Sequence, residues 1–213
     1  MPVIRIAALA GGVVLLAALW LGPLPALAAS SFSAHMTLHM GVVAVAAPLL
    51  TAGIAGRRFD PVRRAPGLFS PVPASIVELV VVWAWHAPAL HHAARHTAGV
   101  MVVEQSMFLL AGVFVWLSAF GGGSELRGNR LGAGIVALLL TSMHMTLLGA
   151  LLALTPRPLY AHAAVAAGAL TPLGDQHLGG AIMLLVGGAA YLAGGLWLTA
   201  RLLQDRRVAG ENA

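Results

Sequence analysis

The sequence predicts an all-α protein: a polytopic transmembrane bundle of six spans, or five if the first apolar run is a cleaved signal. Three observations carry that expectation. Hydrophobic residues fill 59% of 213 positions and charged residues only 9%, with a mean hydropathy of +0.88; a soluble domain carries about 25% charge. Several apolar runs reach the roughly 20 residues a helix needs to cross a bilayer. The runs are continuous, unlike the short alternating strands of a membrane barrel. Cysteine is absent, which excludes disulfides, thiolate metal sites and thiol redox chemistry. Any metal must be held by His, Met or carboxylate.

The first run, about Val3 to Leu21, carries Arg5 at its start and is followed by Pro23, Pro25 and Ala26-Leu27-Ala28. A basic start and a small-residue end also fit a signal peptide cut after Ala28. Residues 1–28 are therefore a first span or a signal, residues 29–201 a helical bundle, and 202–213 a cytoplasmic polar tail. The second span is about His35 to Ile54, the third Ile76 to Leu90, the fourth Gly99 to Phe120, the fifth Leu131 to Leu154 and the sixth His177 to Ala200. Gly121-Gly122-Gly123-Ser124 breaks the chain after the fourth, and a proline-bearing connection, Thr155 to Gly174, joins the last two.

The net charge of +5 is all arginine. Arg5, Arg57, Arg58, Arg63, Arg64, Arg127, Arg130, Arg201, Arg206 and Arg207 fall on one side of these spans, and Arg95 and Arg157 on the other. Basic residues collect in cytoplasmic loops. The asymmetry thus predicts a multi-pass membrane protein with a cytoplasmic C-terminus. It marks topology and not nucleic-acid binding. The nine histidines avoid the arginine side altogether.

His35 and His39, four residues apart, share a helix face, and Met36 and Met40 repeat that spacing about 100° away. Imidazole and thioether together are a copper ligand set; the alternative is a headgroup-layer pair with packing methionines. Trp83-Ala84-Trp85-His86-Ala87-Pro88 places His86 one turn inside the outer end of the third span, either as a ligand or within an aromatic belt. Pro88 is expected to kink this helix and free the Ala84 carbonyl. His91, His92 and His96 lie further out and are expected in solvent, with low-affinity metal collection as the alternative role. In Met143-His144-Met145, His144 is about 15 Å from its span end, deep enough to need a partner in the bundle. At most one of Met143 and Met145 can join it. His162 and His177 belong to the last outer connection.

Asp175 is expected to cap the sixth span or to position His177 as an acceptor behind a ligand. Glu104 sits about 7–8 Å inside the fourth span and is expected to pair with a histidine, bind metal or meet Arg95. Glu78 is read as reaching the cytoplasmic interface. Gly180, Gly187 and Gly194 form a small-residue packing stripe. No nucleophile–base motif or nucleotide fingerprint appears, so an enzyme is not expected.

His35-x-x-x-His39 with Ala47-Pro48-Leu49-Leu50 and Gly53 resembles the multi-spanning CtaG family of cytochrome c oxidase assembly factors. So do Trp85-His86-x-Pro88-x-Leu90, Glu104 and Trp116, Leu148-Gly149 with Leu159-Tyr160, and Asp175-Gln176-x-x-Gly179-Gly180-x-x-Met183. The resemblance runs from about His35 to Gly188. It implies a role in maturing haem-copper oxidases by supplying copper to a subunit on the outer, periplasmic face. The partners would be a cytochrome c oxidase subunit or another copper chaperone.

The expected site comprises His35, His39, His86, His144 and His177 with Met36 and Met40, converging in the outer half of the bundle around copper as Cu(I). Glu104, Asp175, Met143 and Met145 stand behind them. Zinc suits the same His and carboxylate groups. The alternatives are a membrane haem protein or oxidoreductase with histidine axial ligands, and a His/Glu transporter. The transporter reading needs polar residues in the inner halves of the spans, which look nearly all apolar.

Overall fold

The computed structural model describes residues 2–122, 127–160 and 170–211, and His162 lies outside them. Among the described residues every regular element is helical. The order is α1 (Pro2–Leu21), α2 (Leu24–Ala28), α3 (Phe32–Met40) running through a π segment (Gly41–Ala46) into α4 (Ala47–Ile54), and a 3-10 turn (Pro61–Arg63). Then come α5 (Pro71–Trp85), α6 (Pro88–His96), α7 (Ala98–Phe120) and α8 (Arg127–Leu154). Finally α9 (Pro172–Ile182) passes through a π segment (Met183–Gly187) into α10 (Gly188–Glu211). Five helices are long and apolar enough to cross a membrane, or up to six if the bent pair α5 and α6 is one span. The last helix continues through the expected polar tail.

The spans alternate in direction, and side chains stitch each end of the bundle. At the histidine end Arg95 donates to the Ala29 carbonyl, and Tyr160 donates to the His86 carbonyl at 2.7 Å. At the arginine end Arg5 donates to the Ala55 carbonyl at 3.1 Å. Arg130 donates there to the carbonyls of Phe69 at 2.7 Å and Ser118 at 3.1 Å. The buried carboxylate of Asp60 accepts from the amides of Gly56, Val62 and Gly122 at 2.7–2.9 Å. Gly56 (φ 73°) and Gly122 (φ 98°) take left-handed turns that side chains rarely adopt.

Asp175 does not cap its own helix. Thr171 holds that position, accepting from the Gly174 amide at 3.0 Å, because Pro172 at the first helical position places the cap one residue before it. Asp175 instead reaches the start of α3. Its carboxylate accepts from the amides of Phe32 at 2.6 Å and Ser33 at 3.1 Å, and from the hydroxyls of Ser31 and Ser33. A helix start has four amides without intrahelical partners and a partial positive charge, so a carboxylate is the natural acceptor there.

Proline also shapes the two bends. In the π segment the Ala47 amide bonds the Val42 carbonyl, and Pro48 has no N–H to offer Val43. The freed Val43 carbonyl accepts from the Trp116 indole at 3.2 Å and the Tyr191 hydroxyl at 3.4 Å. Pro88 breaks the helix rather than kinking it. The chain turns 71° and Pro88 opens a new helix. The Ala84 carbonyl is not freed, since the Ala87 amide takes it at 3.0 Å.

Glu78 departs from expectation as well. It is fully buried and accepts a hydrogen bond from Tyr191, beside a Ser75–Thr141 hydroxyl pair at 2.9 Å. The interior of this half is thus not wholly apolar. The glycine stripe packs as expected. A Cβ on Gly180 would lie 2.8 Å from the Gly149 carbonyl oxygen, so two backbones approach there, and one on Gly194 would lie 2.7 Å from the Trp116 ring, which fills that space.

Candidate metal centre

Three elements bring chemistry to one end of the bundle. α3 carries His35 and His39 on one face, α7 carries Glu104, and the α5–α6 break carries His86 and His91. All five are buried, none more than 6% exposed. His35 Nε2 lies 3.4 Å from Glu104 Oε1. The His35 and His91 rings meet edge to face with centroids 4.8 Å apart. One ligand atom each from His35, His91 and Glu104 falls within 4.8 Å of the others. Gln105 donates to the second Glu104 oxygen at 3.2 Å and so orients the carboxylate.

One turn deeper, the His39 and His86 ring centroids lie 5.4 Å apart, with Phe108 3.7 Å from the His39 ring. His86 Nδ1 contacts the Val82 carbonyl at 2.6 Å. A carbonyl only accepts, so Nδ1 carries the proton and Nε2 keeps its lone pair. Among the described residues Nε2 is buried without a hydrogen-bond partner, as are both ring nitrogens of His39. Buried polar atoms are nearly always satisfied. Lone pairs left open beside a carboxylate are the donor arrangement a transition metal takes. The Tyr160 phenol, pushed up by burial, stays protonated and holds the break in place through the His86 carbonyl.

Several expected members sit elsewhere. His144 is buried on α8, and among the described residues neither ring nitrogen is hydrogen-bonded and it makes no ring contact with another histidine. His177 Nε2 bonds the Thr155 carbonyl at 2.8 Å at the end of α8. Asp175 serves the α3 amides and does not orient His177. Met36 packs by its stem against Gly179, and the Met40 sulfur and Met145 lie at Gly187. The thioethers of α3 therefore face α9 and its π segment, while its imidazoles face α5, α6 and α7. Met143 points outward, 63% exposed. Arg95 serves the Ala29 carbonyl and not Glu104.

His91 is the residue that sequence reasoning misplaced in solvent. The 71° break lays α6 across the end of the bundle, so one of its faces turns inward. His91 and Ala94, three residues apart, are buried, while His92 and His96 are exposed. The signal was present in the sequence: proline at a helix start, then histidine and alanine on a common stripe.

The family model of the cytochrome c oxidase caa3 assembly factor (Caa3_CtaG) matches residues 1–205. No curated protein and no solved structure matches the chain. With a match over nearly its whole length, the chain belongs to the cytochrome c oxidase caa3 assembly factor family.

Proposed function

We propose that the protein is a membrane-embedded copper-binding assembly factor that supports metallation of cytochrome c oxidase. The observation that supports the copper reading most is the buried triad His35, His91 and Glu104, with ligand atoms within 4.8 Å of one another. The family supplies the oxidase as the object of assembly. Copper is cargo here, so no turnover is required of the protein. His35, His91 and Glu104 form the station nearer the histidine end of the bundle, and His39 with His86 a second one turn deeper. Two imidazoles and a carboxylate accept copper or zinc without a thioether. This donor set differs from the expected one, in which imidazoles of His35, His39, His86 and His144 share Cu(I) with a thioether: it draws on His91 and Glu104, and the methionines of α3 face the other way.

Two stacked stations suit transfer by stepwise ligand exchange, because an incoming partner group can replace one imidazole while the others hold the ion. The arginine asymmetry supports placing the histidine end on the periplasmic face of a bacterial inner membrane. A reporter active only outside the membrane, fused after Asn212, should stay silent; activity there overturns that sidedness.

Metal analysis of the purified protein tests the site. The parent should retain copper near stoichiometric amounts after dialysis, and His35→Ala should lose it while remaining folded. Equal copper in both overturns the reading. A strong Soret absorbance band would establish the haem alternative instead.

A further inference from the structure

At the opposite end of the bundle a cavity of about 610 Å³ opens between α1, α4, α7, α8 and α10. Three guanidinium groups line it: Arg5, Arg130 and Arg201. None forms an ion pair with a carboxylate among the described residues. Arg5 and Arg130 are held by backbone carbonyls, and Arg201 lies over the Trp197 ring at 4.6 Å. Carbonyl contacts orient a guanidinium without neutralising it. Asp205 contributes one negative charge to the lining, and Asp60 acts on Arg130 while its oxygens serve three amides. The cavity remains net positive.

A second observation points to a polar ligand there. Thr51 lines the same cavity, is 1% exposed, and its hydroxyl has no hydrogen-bond partner among the described residues; the buried Arg130 Nε is likewise open. The remaining walls include Trp116 and Trp197. A free inorganic anion has no use for those walls. An amphiphile uses both.

Depth identifies the amphiphile. Arg5 stands in the first turn of its span, Arg130 begins the apolar stretch Arg130–Leu154, and Arg201 closes the apolar part of Pro172–Arg207. All three therefore lie at one end of the apolar spans, where lipid headgroups meet water. Basic pockets between spans at that level recognise anionic headgroups. We propose that this cavity is a binding site for an anionic phospholipid, with its phosphate held by Arg5, Arg130 and Arg201 and its glycerol and upper acyl chains against the tryptophan-lined wall.

The test uses the full chain in detergent, stripped of lipid, with phosphatidylglycerol added and bound lipid counted by native mass spectrometry. One phosphatidylglycerol should bind in preference to phosphatidylcholine. Each guanidinium near an anionic group is worth about fivefold in binding, so the double variant Arg5→Gln/Arg201→Gln should bind roughly 25-fold more weakly. Arg63→Gln/Arg64→Gln removes the same charge from exposed positions outside the cavity and should bind like the parent. Excess inorganic phosphate should not displace the lipid. The proposal is overturned if the cavity variant retains lipid like the parent, or if the control loses it equally. Equal binding of phosphatidylcholine, or displacement by phosphate alone, overturns it too.

Discussion

His35 and His91 meet edge to face with ring centroids 4.8 Å apart, one from the start of α3 and the other from the short helix that follows the Pro88 break. Their nearest shared neighbour in charge is Glu104, 3.4 Å from His35. The contact joins a residue chosen by spacing to one that spacing had set aside, and it decides which histidines are worth changing.

His91→Ala and His92→Ala form a matched pair. Both change a histidine of α6, but only His91 is buried. His91→Ala should weaken copper binding by at least the roughly 10–100-fold that loss of a supporting partner costs at metal sites. His92→Ala should leave it unchanged. Equilibrium dialysis against copper distinguishes the two, and equal affinities would remove His91 from the site.

The carboxylate of Asp175 holds the first amides of α3, which carries His35 one turn later. Charge-assisted hydrogen bonds of this kind contribute about 1.5–3 kcal/mol each. Asp175→Ala should lower the thermal unfolding midpoint and weaken metal binding together, because the helix that presents His35 loses its anchor. Asp175→Asn keeps one acceptor oxygen and should lie between. Unfolding followed by tryptophan fluorescence, with and without copper, measures both effects; an Asp175→Ala protein as stable as the parent contradicts the anchoring role.

Tyr191 is the donor that serves the buried carboxyl of Glu78, whose other oxygen has no partner among the described residues. Tyr191→Phe removes that donor and should destabilise the fold by about 1–3 kcal/mol, the cost of stranding a buried polar group. Glu78→Gln in the same background substitutes a neutral amide and should recover part of the loss. A double-mutant cycle on unfolding midpoints reads the coupling. Additive effects would show that the two residues do not depend on each other.

Composition together with the apolar runs was sufficient for the class and for the approximate positions of the spans. An apolar run of about 20 residues in lipid has only one way to satisfy its backbone, which is to hydrogen-bond within itself as a helix. The positions of Pro48 and Gly56 mark where α3 and α4 bend and end, and both are visible as letters. His35, His39, His86 and Glu104 were also legible, because a histidine or carboxylate inside an apolar run is costly unless it has a partner.

The partners themselves were not legible. Asp175 looks like the cap of its own helix, and only the packing of α9 beside α3 shows that it caps another. Glu78 looks like an interfacial carboxylate, and only α10 supplies the Tyr191 hydroxyl that makes it interior. His91 looks solvated until the direction of α6 is known, and a 71° turn at one proline sets that direction. Local sequence determines whether a segment is helical and which of its residues cannot face lipid alone. Which groups then meet depends on the crossing of helices distant in the chain. The reason is physical: a side chain's neighbours within one helix follow from spacing, whereas its neighbours across helices follow from close packing of the whole bundle.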